Sequence, residues 1–406
     1  MRTSRRGFVG GVSALALASG STSAFAQKKY DDGVTDTEIK IGNTNPYSGP
    51  ASSYAAIART IDAYFKAVNE AGGINGRKIK FISLDDGYSP PKTVEVVRQL
   101  VEQDKIFALF QSLGTPCNTA IHKYMNQKKV PQLYVATGAS KWGDPKNFPW
   151  TMGFQPDYHT EAVIYAKHIL ANVKDAKIAV LHQNDDYGRD YLGGFKEGLG
   201  KEAGRIVRTV TYEATDPTVD SQIIELKNSG ANVFYNVSIS KFAAQAMRKA
   251  ADLGWKPVQY MNNVAASVGT TMKPAGFDNV QGVLTAAWLK DPTDHQWDNE
   301  PDMKEWRAFM AKYIPDGNLA DGSYIYAYGV AALLRKTLEK CGDMLTRENL
   351  MKQAASWHQL HLPGLSPGIT VSTSPTDFYP VQAVQMSRFK GETWELFGDV
   401  MHNESS

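Results

Sequence analysis

Two cysteines in 406 residues, Cys117 and Cys341, are too few for a disulfide framework. They allow one bridge at most, and their wide separation in the chain speaks against even that, so stability is expected to come from packing. Long apolar runs are also missing, and nothing approaches the roughly 20 residues of a membrane-spanning helix. Blocks of Lys or Arg are absent, which removes nucleic acid and anionic membrane surfaces from the partner classes. Enzyme signatures are lacking too: no G-x-S-x-G elbow set between a strand and a helix, no phosphate-binding G-x-x-x-x-G-K-[ST] loop and no H-E-x-x-H helix. Gly198-Leu199-Gly200 imitates a dinucleotide loop, but it closes a helix instead of following a strand. His358 and His361 stand three apart without an accompanying carboxylate or thiol cluster, so no metal or other cofactor is expected.

The first 26 residues read as an export signal. Arg2, Arg5 and Arg6 form a positive start, Phe8 to Ala18 a short, weakly apolar stretch, and Ala24-Phe25-Ala26 a cleavage site that leaves Gln27 first. Ser4-Arg5-Arg6-Gly7-Phe8-Val9 resembles a twin-arginine signal, and the general secretory route is the alternative. No Cys follows the apolar stretch, which argues against lipid anchoring. The signal holds three of the 44 basic residues and none of the 42 acidic ones, so the mature chain carries a net charge of −1. At about 380 residues it exceeds the size at which one core stays undivided.

From Ile39 onward, short β-type runs alternate with segments of helical period. The strand candidates are 39–42, 79–84, 106–110, 132–135, 178–182, 206–211, 233–236, 258–261 and 280–284. Ile57, Ile61, Tyr64, Phe65 and Val68 share one face of a helix that Gly72-Gly73 stops. Ser89-Pro90-Pro91 opens a second helix whose apolar face holds Val94, Val97, Leu100 and Val101. Such β-α-β repetition builds parallel sheets with helices on both faces. It runs twice, over about 39–150 and 157–284, with a Pro/Trp-rich break at 145–156. Helices at 301–313, 320–340 and 346–355 and a hairpin of 369–374 with 381–389 then complete the two existing units. The chain therefore crosses between them more than once.

Open α/β sheets bind ligands at the carboxyl ends of their strands. Three loops there are rich in Gly, Ser and Thr: Asn43 to Tyr54, Gln111 to Pro116 and Ala136 to Trp142. Backbone N–H groups at a helix start, with hydroxyls beside them, make a carboxylate cradle. Asp85-Asp86 and Asp185-Asp186 also follow strands, and are read as caps and turn-formers ahead of an acid/base pair.

As a set, N-P-Y-S-G-P-x-x-x-Y at 45–54, A-G-G-I-N-G-R-K-I, L-D-D-G-Y-S-P-P-K-T, P-Q-L-Y-V-A-T-G-A-S and H-Q-N-D-D-Y-G-R-D at 182–190 resemble the leucine/isoleucine/valine-type periplasmic binding proteins over nearly the whole mature chain. The resemblance implies the type I periplasmic-binding fold: two Rossmann-like lobes with parallel sheets, joined by a three-segment hinge. Lobe 1 would comprise 37–154 plus about 287–365, and lobe 2 would comprise 155–286 plus about 366–400. It implies a monomer that delivers a small carboxylate to an ABC permease and its ATPase subunits. Tyr54 would close over the ligand, and Leu113, Gly114 and Thr115, with Ala136, Gly138 and Ser140, would hold its carboxylate. Tyr187 would cap the site from lobe 2, with Tyr324 near a further aromatic wall and Trp142 as another ring.

In amino-acid-binding members a lobe 2 carboxylate pairs with the ligand ammonium after the strand ending here at Met261. Asn262 and Asn263 stand there instead, and Asn236-Val237-Ser238 follows the preceding strand, leaving Ser238 and Asn263 as the polar candidates. A buried ammonium without a partner costs several kcal/mol. The favoured ligand is therefore an organic or aromatic acid without an α-amino group. Branched-chain or other amino-acid transport, or a ligand-sensing receptor component, is the alternative.

Overall fold

The protein is described from a computed structural model covering residues 28–402, so the export signal lies outside the described residues. Thirteen strands form three sheets. In chain order they are β1 (Lys29–Tyr30), β2 (Glu38–Asn45), β3 (Lys78–Asp85), β4 (Ala108–Phe110), β5 (Gln132–Leu133), β6 (Ile178–Gln183), β7 (Ile206–Tyr212), β8 (Val233–Val237), β9 (Val258–Met261), β10 (Leu284–Ala287), β11 (Met344–Leu345), β12 (Ala383–Lys390) and β13 (Thr393–His402). The first main sheet has the order β3-β2-β4-β5 and the second β13-β12-β10-β9-β8-β6-β7, while β1 and β11 pair separately. Pairing is parallel except where β12 joins β10 and β13.

The helical face foreseen at 57–68 packs as its period dictates. Ile57, Ile61, Tyr64, Phe65 and Val68 are all buried along Ala55–Glu70, each contributing roughly 1.5–3 kcal/mol of burial. The helix ends where the Gly73 N–H turns back to the Val68 carbonyl. Gly73 has φ +80°, and a Cβ there would strike the Arg77 carbonyl, so only glycine fits the reversal. Ser89 occupies the cap position of Pro90–Arg98 without a side-chain bond to it. Asp86 organises that turn instead, accepting from the Tyr88 N–H at 3.0 Å and the Thr93 hydroxyl at 2.9 Å. Asp185 does cap Asp186–Leu199, through the N–H groups of Tyr187 and Gly188. That helix ends at Leu199, and Gly200 follows at φ +53°.

Two late elements differ from the sequence reading. The strand expected at 280–284 is β10, Leu284–Ala287, because Gln281-Gly282 is a turn with Gly282 at φ +82°. Val280 and Val283 are buried in a cluster with Met261 and Met272, which is why they read as a strand. The closing hairpin pairs 383–390 with 393–402, while 369–374 makes only isolated bridges. Among the described residues no helix is long and apolar enough to cross a membrane. Cys117 and Cys341 are both free and buried.

Candidate ligand site between the sheets

The loops that leave the strands of both main sheets meet around one cavity of about 180 Å³. From the first sheet come Tyr54, Tyr88, Leu113, Gly114, Thr115 and Ala136, and facing them from the second come Tyr158, Tyr187, Ile239, Asn263 and Val264. The crossover 288–297 and the start of Ser323–Cys341 form the remaining walls, contributing Trp288, Trp297 and Tyr326. Most of the lining is aromatic or aliphatic, with few polar groups, as suits an apolar ligand fixed at a few points.

At the cradle, Thr115 opens the helix Thr115–Lys128, whose leading N–H groups have no partner within the helix. Its hydroxyl lies 2.6 Å from that of Thr137. Either hydroxyl can donate to the other, and with Thr137 donating the Thr115 hydrogen is left to face the cavity. Gly114 precedes them at φ +94°, and its Cα sits against the Tyr88 ring. The Tyr88 and Tyr187 phenol oxygens accept from Gln183 at 3.3 Å and Asn262 at 2.7 Å. Both phenols thus keep a hydrogen for a cavity occupant.

Side chains bridge the two halves. The Tyr54 hydroxyl donates to the Val264 carbonyl at 2.9 Å and accepts from the Ser240 N–H and hydroxyl at 3.1 Å each. Lys141 pairs with Asp186 at 2.6 Å, and the Lys141 and Arg189 contacts hold that carboxyl down at about 2. On the outer loop Asp85 is also held at about 2. There, hydrogen bonds from Ser48, Gly87 and Lys92 outweigh its desolvation.

Of the residues singled out from sequence, Tyr54, Leu113, Gly114, Thr115, Ala136, Tyr187 and Asn263 line the cavity, and five do not. Gly138 has its Cα against Tyr158 and Pro156 and lies outside the cavity lining. Ser140 gives its N–H and hydroxyl to Asp190 at 2.8 and 2.7 Å, so both of its donors tie the halves together outside the cavity lining. Ser238 is fully buried beneath the loop, where its N–H donates to Asn262. Tyr324 faces away, since helical spacing turns Tyr326 inward, and the Tyr326 hydroxyl donates to Gln111 at 2.9 Å. Trp142 packs on His122 away from the cavity, with ring centres 5.0 Å apart, and burial lowers that imidazole to about 4.

Tyr88, Tyr158, Tyr326 and the 288–297 crossover are cavity residues that the sequence reading missed. Tyr88 sits inside the quoted L-D-D-G-Y run, after a strand, so the strand-end rule reaches it. The crossover was hidden by placing the ninth strand early. The chain does contain one G-x-S-x-G string, Gly364 to Gly368, but no helix follows it and Ser366 is buried. Among the described residues no three His, Cys, Asp or Glu side chains gather as a metal site.

The polar group behind the second-sheet wall is Glu161, on the helix Tyr158–Asn172. It is 1% exposed. It accepts from the Tyr165 hydroxyl at 2.5 Å, the Tyr191 hydroxyl at 2.8 Å, the Asn263 N–H at 2.8 Å and the Asn263 amide. Burial pushes it up to about 7 in spite of these bonds.

Two α/β lobes whose strand-end loops enclose one ring-lined cavity define a type I periplasmic-binding fold. The sequence profile of the periplasmic binding protein family matches residues 38–393. The chain belongs to that family. It is 25% identical over 331 residues to Leu/Ile/Val-binding protein homolog 3 of Brucella melitensis, covering 80% of this chain and 84% of that one. To an amino acid binding protein of Pseudomonas aeruginosa it is 26% identical over 337 residues, covering 80% and 83%. In fold it resembles a branched-chain amino acid ABC transporter protein of Thermus thermophilus with bound valine (TM-score 0.82, 16% identity, 91% and 98% covered). A fatty acid ABC transporter substrate-binding protein of Thermomonospora curvata is similar in fold too (TM-score 0.79, 20% identity, 93% and 95% covered).

Proposed function

We propose that this chain is the extracytoplasmic receptor of an ABC importer and binds a carboxylic acid with an apolar body and no α-amino group. The lobes would comprise 37–154 with about 287–365 and 155–286 with about 366–400, moving on their crossovers as a jaw. Export by the N-terminal signal would place the mature protein in the periplasm, as a monomer facing a permease and its ATPases. It binds and releases, with no catalytic step.

The observation that carries the ligand class is the state of Asn263 and Glu161. The buried carboxylate of Glu161, behind the second-lobe wall, already accepts four hydrogen bonds, two of them from Asn263. No lone pair remains there for a ligand ammonium. The acid end is assigned to Thr115, the helix start beneath it and the Tyr88 and Tyr187 phenols. The rings of Tyr158, Trp288 and Tyr326 take the body. Relatives named for amino acids and a fold neighbour named for fatty acids both fit an acid-end cradle.

A thermal-shift panel of aliphatic and aromatic acids selects the ligand, since 100 Kd of it stabilises the native state by about 2.7 kcal/mol. Thr115→Ala then removes a hydroxyl donor to a charged group, worth roughly 1.5–3 kcal/mol. Affinity by calorimetry is expected to fall at least tenfold with the melting temperature of the free protein kept. Unchanged affinity would move the acid end elsewhere.

A further inference from the structure

The cavity has a second polar end that the acid cradle does not explain. It lies on the crossover 288–297, where Lys290, Asp291 and Asp294 line the wall together with Trp297, beside Trp394 and Leu396 of β13. The Thr293 hydroxyl meets that of Thr393 at 2.9 Å, which fixes the crossover against the start of β13. In the second sheet β13 is the first strand of the order, and β6, which leads into Tyr187, is the sixth. Five strand spacings of about 4.8 Å put these two walls on the order of 20 Å apart.

The charges at this end are not equivalent. Lys290 is turned away onto Asp302, at 2.8 and 2.9 Å from its two oxygens, with Glu300 at 3.7 Å. Asp294 caps the short turn His295–Trp297 through the Gln296 N–H and also accepts from the Gln296 amide. Asp291 differs from both. The Thr293 N–H at 2.8 Å and hydroxyl at 2.5 Å both donate to its Oδ1, which leaves Oδ2 for whatever occupies the cavity. Burial, with the negative charge of Asp294 nearby, pushes the carboxyl up to about 6. A half-buried carboxylate with one oxygen committed and no cation of its own costs free energy to keep, and a donor on the ligand relieves it.

We infer that Asp291 is a specificity-determining residue that accepts a hydrogen bond from a donor at the far end of the ligand, so that the preferred acid is bifunctional: carboxylate at the Thr115 cradle, apolar middle, hydroxyl or ammonium at the terminus. This rests on the carboxylic-acid reading above and narrows it. A terminal donor would explain why the crossover carries, among Trp288, Leu289, Pro292 and Trp297, an acid that, unlike the paired Lys290 and Asp294, keeps an oxygen without a protein partner. It also separates this position from the α-ammonium site, since Asp291 belongs to the crossover and not to the loop after β9.

The test is a calorimetric series on the mature protein, with straight-chain acids of six to twelve carbons against their ω-hydroxy and ω-amino counterparts. At the chain length that reaches Asp291, the ω-hydroxy acid is expected to bind at least tenfold more tightly than its parent, and the ω-amino acid at least as well. Asp291→Asn keeps an oxygen for the Thr293 donors but turns an N–H₂ to the cavity, and Asp291→Ala removes both oxygens. Asp291→Ala should abolish both preferences, and Asp291→Asn the ω-amino one, because a terminal hydroxyl can accept from the new N–H₂ and an ammonium cannot, while the parent acid binds within about threefold of wild type. The ratio of the two affinities is the readout, because a general loss of folding lowers both alike. Equal binding of every hydroxy acid and its parent by wild type, or a preference that survives both substitutions, overturns the assignment and leaves the carboxylic-acid reading standing. If no acid of the series and no aromatic acid binds at all, the carboxylic-acid reading falls and the assignment falls with it.

Discussion

Phenylpropionate is expected to bind at least a hundredfold more tightly than phenylalanine. The two share a ring, a chain length and a carboxylate, and differ only in the α-ammonium. In the bound state that ammonium lies beside the carboxylate, within reach of Thr115, Tyr88, Tyr187 and Asn263. The Tyr187 oxygen already accepts from Asn262 and all four Glu161 acceptor sites are filled, so the ammonium meets no free carboxylate, only the neutral phenol oxygens and the Asn263 amide oxygen. Desolvating a cation without a compensating acceptor costs several kcal/mol, and 1.4 kcal/mol is tenfold in affinity. Isothermal titration of both compounds in one buffer measures the ratio. Micromolar binding of phenylalanine or leucine, with the deaminated acids silent, would mean that Glu161 releases Asn263 and pairs with the ligand, which is the amino-acid reading.

Removing Glu161 is expected to give a large loss of stability. Glu161→Ala strands three donors in a site sealed from water and leaves the Tyr165 hydroxyl only the Met261 carbonyl at 3.0 Å, at a cost of roughly 3–5 kcal/mol after relaxation. The pH dependence is a second signature. The carboxyl sits at about 7 in the fold against an ordinary 4.5. Between those values the folded chain holds a proton that the unfolded chain has released, so stability is fullest below about 4.5 and falls as pH rises through 7. The loss is on the order of 2–3 kcal/mol. Asp291, raised to about 6, adds to it in the same direction. Asp85 and Asp186, held at about 2, act oppositely, losing their contribution as pH drops below 4. The melting temperature should therefore peak near pH 5, and Glu161→Gln should flatten the decline toward pH 8. A wild-type curve that rises from pH 5 to 8 would show that Glu161 stays ionised at little cost.

The strands and the cradle loops were legible in the sequence for one reason, which is that periodicity and strand-end position are local properties. Val258–Met261 and Pro301–Tyr313 fall where the pattern puts them, and Leu113 to Thr115 sit in the cavity because they follow a strand. Ser140 misled because a serine at a strand-end loop reads as a ligand hydroxyl, whereas its partner Asp190 is fifty residues away on the other half. Tyr324 misled by two residues on a helix, enough to turn a ring from one face to the other. Glu161 was beyond reach, because a glutamate in the first turn of a helix reads as an ordinary helix-start charge, and nothing local marks it as the acceptor for an asparagine 102 residues later. Trp288 and Asp291 were lost to a strand placed early by Val280 and Val283, whose apolar run serves packing without pairing.

The central claim is that a carboxylic acid bridges the two lobes, and small-angle scattering tests it most directly. The contacts of Tyr54 with Val264 and Ser240, and of Lys141 with Asp186, join the halves only when the cleft is shut. Without ligand the lobes should sample open arrangements, and a saturating acid from the panel should lower the radius of gyration to that of the closed form. A radius of gyration that stays the same at saturating, calorimetrically verified acid would contradict the claim.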